Sequence, residues 1–167
     1  MCSGKTTFGY ALARRLGYSF IDLDDYIEKE TGKSIREIFM EKGEEGFREI
    51  ESEKLRKVGN MEKSVIACGG GTPCFYDNME FINSIGKSVF LKTSKSTLLR
   101  RLLEGSEERP LVKDRTETEI KEIIENKLKE REKYYMRAHI IGNGDYLDTS
   151  EEIRKTVNEF VEKYFRN

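Results

Sequence analysis

The residues with the clearest chemical potential come first in the chain: Met1-Cys2-Ser3-Gly4-Lys5-Thr6-Thr7. Ser-Gly-Lys-Thr-Thr ahead of an amphipathic helix is the second half of a phosphate-binding loop. In such a loop, backbone N–H groups converge on phosphate oxygens at a helix N-terminus, where the dipole also favours negative charge. Lys5 would add a point charge at the β- and γ-phosphates, and the Thr6 hydroxyl suits Mg²⁺. Cys2, Ser3, Gly4, Lys5, Thr6 and Thr7 are therefore the candidate nucleotide contacts. The full pattern G-x-x-x-x-G-K-[ST] needs a glycine five residues before Gly4, upstream of Met1. The strand that feeds such a loop is also expected upstream, so the sequence reads as an N-terminal truncation.

Further candidates follow at the ends of strand-like runs. Asp22-Leu23-Asp24 closes the run Tyr18–Leu23, and ligands of open α/β sheets bind beyond the carboxyl ends of the strands. Strand alternation would send both carboxylates to one side. One could hold the hydration shell of Mg²⁺ while the other orients or deprotonates an attacking hydroxyl. Gly69-Gly70-Gly71 follows the apolar run Ser64–Cys68 and lets a backbone approach a ligand closely. Arg109, in the polar stretch 105–116, is placed to close over a triphosphate. Arg48 and Arg131 are ordinary by themselves, the latter within a charged helical run. His139 and the pair Cys68 and Cys74 read as packing residues.

These residues need elements to hold them. Apolar spacing predicts helices over 6–16, 26–30, 35–42, 44–60, 79–85, 94–104, 118–135 and 151–164. Gly17 and Gly43 would close two of them, Ser34-x-x-Glu37 is a capping box, and Ser150 is the expected cap of the last helix. Strands are expected at 18–23, 64–68, 88–92 and 139–141. Short apolar strands alternating with helices indicate an α/β fold with a parallel sheet. Its first strand would be missing from this chain.

Composition narrows the classes. The 167 residues suit one domain with a sizeable core. A formal net charge of −1 argues against a nucleic-acid partner. Three cysteines with no C-x-x-C give neither a disulfide nor a zinc framework, which fits a reducing cytoplasm. No apolar run approaches the roughly 20 residues of a membrane span, and no signal-peptide pattern opens the chain.

Taken in order, S-G-K-T-T, F-I-D-L-D, G-E-x-x-F-R-E-I-E, a strand into G-G-G-T-P, R-P-L and E-R-x-x-Y-Y resemble the shikimate kinase family over essentially the full length. The resemblance implies a three-layer P-loop fold, with a parallel sheet of order 2-3-1-4-5 and helices on both faces. It also implies transfer of the ATP γ-phosphate to the 3-hydroxyl of shikimate, with Mg²⁺, by a cytoplasmic monomer. Matched by motif, Lys5 and Thr6 serve the phosphates and the metal, Asp22 holds the metal, and Asp24 bonds the reacting hydroxyl and accepts its proton. Arg48 and Arg131 clamp the substrate carboxylate, Gly70 offers its backbone, and Arg109 is the arginine of a mobile lid over about 105–116. The segment from about 25 to 55 binds substrate, and Glu51 orients Arg48. Two departures stand out: Cys2 occupies a position usually glycine, and Ala67 one usually serine or threonine. The alternatives are another small-molecule kinase, such as one acting on gluconate, or a non-catalytic relative.

Overall fold

The computed structural model describes residues 2–104 and 115–165. Helix α1 (Lys5–Leu16) enters through Gly4 at φ 83° and leaves through Gly17 at φ 70°, whose N–H donates to the carbonyls of Ala13 and Arg14. Both are left-handed positions at which a side chain would add strain. Strand β1 (Ser19–Asp22) runs directly into α2 (Leu23–Thr31), with Asp22 as its N-cap. Helix α3 spans Ile35–Gly59 and opens on the expected Ser34/Glu37 capping box. It is broken at Gly43, whose φ of 69° and ψ of −172° are not helical. The two helices expected on either side of Gly43 are thus present, joined by a single glycine.

Strand β2 (Ser64–Ala67) leads through the glycines to a one-turn 3₁₀ helix, Thr72–Cys74, and then α4 (Asn78–Ile85). After β3 (Val89–Lys92) come α5 (Lys95–Glu104), α6 (Glu117–Tyr135), β4 (Ile140–Asn143) and α7 (Ser150–Tyr164). The cap of α7 is Thr149, not Ser150: Thr149 and Glu152 form the box, since only that pair has the three-residue spacing. Thr116 and Glu119 cap α6 in the same way. His139 lies exposed just before β4, not in the core; its Nδ1 sits 3.4 Å from the Ser88 amide.

All pairing is parallel. Among the described residues β1 pairs with β2 and β3 with β4, and no ladder joins the two pairs. A cavity of about 660 Å³ touches every residue of β2 and Val89, Phe90 and Leu91 of β3. Because successive strand residues face opposite ways, a cavity meeting consecutive ones runs along the strand edges. The implied order 2-3-1-4-5 puts its first strand at that gap.

Helices cover both faces. Val65 packs with Phe8 and Leu12 of α1 and with Val157, Phe160 and Val161 of α7, in a cluster that also holds Leu91 and Ile140. Its neighbour Ile66 points the other way, into Leu23, Ile27, Ile38, Phe47, Leu55 and Val58 of α2 and α3. Phe90 likewise turns to Tyr135 of α6, ring centroids 4.9 Å apart. No described helix is long and apolar enough to cross a membrane.

Candidate active site

Three structures meet at the carboxyl ends of the strands: the start of α1, the β1–α2 junction and the glycine turn after β2. The first turn of α1 carries no acidic residue and no side-chain cap, so its amides and dipole are open to an anion. Upstream, Cys2 has φ 44°, a left-handed position that costs a residue with a Cβ about 1–2 kcal/mol. The carbonyl of Cys2 accepts from Arg101 Nη1 at 3.3 Å, and the same guanidinium binds the Gly144 and Asp145 carbonyls and the Asp148 carboxylate. Arg101 therefore braces the loop at Cys2 against the segment after β4.

The Thr6 hydroxyl donates to Asp22 Oδ2 at 2.9 Å, and Asp22 Oδ1 accepts from the Asp24 amide at 3.1 Å. Asp24 is the second residue of α2, so strand alternation does not bring the two carboxylates together. Helix capping does: the N-cap carboxylate turns back onto the first-turn amide. Burial, then the charges of Asp22 and Glu51, raise the Asp24 carboxyl from 3.8 to about 6, against the opposing pull of Lys5.

Arg48 and Glu51 are both buried in α3. Arg48 Nη1 donates to Glu51 Oε2 at 2.7 Å and Nη2 meets Glu44 Oε1 at 3.3 Å. Its guanidinium lies over the rings of Phe47 and Phe75, at 5.0 and 4.3 Å, while its Nε has no hydrogen-bond partner among the described residues. Breaking so buried an ion pair costs about 3–5 kcal/mol. The other Glu51 oxygen accepts from Thr72 Oγ1 at 2.6 Å, which joins α3 to the glycine turn. Asn78, wholly buried, donates to the Thr72 carbonyl and accepts from Ser52 Oγ.

The glycines fit this frame closely. A Cβ on Gly71 would stand 2.6 Å from Arg48 Nη2, and one on Gly69 would stand 3.1 Å from Glu51 Oε1 and 3.4 Å from Asp24 Oδ1. Lys5, Gly70 and Arg131 line the large cavity, together with Ser3, Cys68 and Tyr135. Arg48 opens instead on a smaller hollow with Glu44, Glu45, Phe75 and Tyr76. Both arginines nevertheless act on the Cys74 thiol, which burial holds above its usual range against their pull. Burial pushes the Cys68 thiol up to about 12, so it stays protonated as a packing group. Arg109 and residues 105–114 of the expected lid lie outside the described residues.

Sequence reasoning missed Thr72, Asn78 and Tyr135 as parts of the site. Tyr135 had a usable signal, since it follows Arg131 by one helical turn. Asn78, inside an ordinary helix start, had none.

An open helix N-terminus with its lysine, a hydroxyl–carboxylate pair beside it, and a doubly wound parallel fold define a P-loop phosphotransferase. The chain belongs to the shikimate kinase family: the sequence profile described as "Shikimate kinase" matches residues 1–166. It is 44% identical over 162 residues to the shikimate kinase of Bacteroides thetaiotaomicron, spanning 97% of this chain and 93% of that one. The crystal structure of a shikimate kinase from the same organism superposes with a TM-score of 0.96 at 43% identity, over 99% of this chain and 94% of the other. The Acinetobacter baumannii enzyme, solved in complex with shikimate, gives 0.83 at 30% identity, over 98% and 87%.

Proposed function

We propose that the chain transfers the γ-phosphate of ATP to the 3-hydroxyl of shikimate. The observation that carries this is the buried network Arg48–Glu51–Thr72 around the glycine turn, with Asp24 Oδ1 next to Gly69, set beside the open N-terminus of α1. A polyanion suits the helix end, and a small hydroxylated acid suits the turn with its two arginines.

Lys5 and the first-turn amides of α1 hold the phosphates. Thr6 and Asp22 would hold Mg²⁺; one hydroxyl and one carboxylate, already 2.9 Å apart, are the hard oxygen donors that this ion takes alongside phosphate and water. Once bound, the ion supplies charge neutralisation across the β- and γ-phosphates. Arg48 and Arg131, whose charges both act on the Cys74 thiol beside the glycine turn, hold the acceptor's carboxylate. Asp24 faces the glycine turn and is ionised at neutral pH. It accepts the proton of the 3-hydroxyl as the new O–P bond forms and the bond from the γ-phosphorus to the bridging oxygen breaks, leaving ADP. Arg109 is proposed to neutralise charge on the phosphates.

The test is ADP release with shikimate, with gluconate and with no acceptor. Shikimate-dependent turnover is expected. Gluconate accepted and shikimate refused overturns the assignment, and shikimate bound without turnover favours a non-catalytic relative.

A further inference from the structure

The three glycine carbonyls of the turn are each held, and not in the same way. Gly69 O accepts from the Thr72 amide at 3.1 Å and Gly71 O from the Cys74 amide at 2.8 Å. Gly70 O has no backbone donor; it accepts from the Tyr135 hydroxyl at 2.6 Å. Among the described residues, the amides of Gly70 and Gly71 donate to no protein acceptor. The turn thus presents its donors with all three acceptors turned away. A planar peptide fixes its N–H opposite its C=O, so a bond to Gly70 O sets the direction of the Gly71 N–H. The neighbouring Gly71 Cα is packed against the Arg48 guanidinium.

Tyr135 is itself well held. Its ring packs against Phe90 of β3, and its helix also carries Arg131, four residues earlier, whose charge acts on the same hydroxyl. One phenol therefore joins the glycine turn to β3, with Arg131 one helical turn away on α6.

We infer that Tyr135 is a positioning residue for the acceptor site, holding the Gly70–Gly71 peptide so that the turn's amides face the small acid in the cavity that Arg131 also lines. The inference rests on the acceptor-site reading above. Among the described residues Tyr135 bonds to Gly70 and packs on Phe90, with no bond to the start of α1, so its effect is expected on the acceptor alone.

Tyr135→Phe keeps the ring on Phe90 and removes only the hydroxyl. Binding of shikimate measured by calorimetry, and steady-state kinetics for both substrates, are expected to show shikimate Kd and KM raised about tenfold, ATP KM within twofold of the parent, and kcat changed far less than shikimate KM. Tyr134→Phe, which alters the neighbouring half-buried phenol, is expected to leave all these values unchanged. A Tyr135→Phe protein with parental shikimate affinity overturns the inference, whatever its melting temperature does. So does an equal rise in both KM values, the mark of a general packing defect. A parent protein that neither binds nor phosphorylates shikimate overturns the acceptor-site reading, and this inference with it.

Discussion

At the level of single residues, Asp24 carries opposing demands. Its carboxyl is ionised only above about pH 6 in the folded chain, against 3.8 for the free group. The folded state therefore holds a proton that the unfolded state has released between those values. The stability this gives is complete below about pH 4 and is lost as pH rises through 6. Turnover should follow the opposite course, with kcat/KM rising through pH 6 to a plateau as the base ionises. Asp24→Asn removes both effects. At pH 7.5 it should stabilise the fold by roughly 1–2 kcal/mol while lowering turnover about 100-fold or more. At pH 4 the two proteins should melt alike. Equal melting at both pH values, or a pH-independent rate, would remove Asp24 from this role. Asp24 was legible as a candidate from its type and its place after an apolar run. Its partner relation to Asp22 was not, because alternation along a strand and capping of a helix put the same two residues close for different reasons. Arg48 shows the converse. Nothing local marks it among the many charged residues, and only the resemblance of G-E-x-x-F-R-E-I-E to the family motif singles it out. Its burial between Phe47 and Phe75 depends on contacts across the chain.

Elements were read well wherever apolar spacing ran unbroken, and less well where a cap lay a residue away. Gly43 is instructive because both readings of it hold: it ends one helical run, and the next begins at once. Its φ of 69° and ψ of −172° belong to a region almost reserved for glycine. A Cβ there would meet nothing within 4 Å. Gly43→Ala therefore tests backbone conformation without a steric term and should destabilise the chain by about 1–3 kcal/mol. The hinge also sets the angle between the capped start of α3 and the half that carries Glu44, Arg48 and Glu51. A relaxed hinge should therefore raise shikimate KM more than ATP KM. A melting temperature equal to the parent's would show that the break at Gly43 carries no strain for a residue with a Cβ. The 3₁₀ turn Thr72–Cys74 was invisible in the sequence beyond the stiffening effect of Pro73, since its hydrogen bonds run to Glu51 and Asn78, 21 and 6 residues away.

Across the whole molecule, the site draws on both parallel pairs, yet no backbone ladder connects them. Phe8 and Leu12 of α1 with Val157, Phe160 and Val161 of α7 span both pairs on one face, and the Tyr135 hydroxyl reaches Gly70 on the other. Among the described residues, side-chain packing sets how the strand ends align. Parallel ladders use alternate residues. Lys63 O accepts from the Ser19 amide, and Ser88 O and Lys92 O accept from the Ile140 and Gly144 amides. The backbone groups of Ser64, Ile66, Val89 and Leu91 therefore turn from their partners toward the cavity between β2 and β3. Hydrogen exchange should separate these four amides from those of Val65, Ala67, Phe90 and Lys92, with the first set exchanging by local opening and the second tracking global unfolding. On the proposed site, ATP and shikimate together span both pairs, so adding them should slow the global set by mass action and leave the cavity-facing set less changed. Equal protection of all eight amides would mean that the edges of β2 and β3 are covered in solution, and that the strand ends are aligned by a ladder after all.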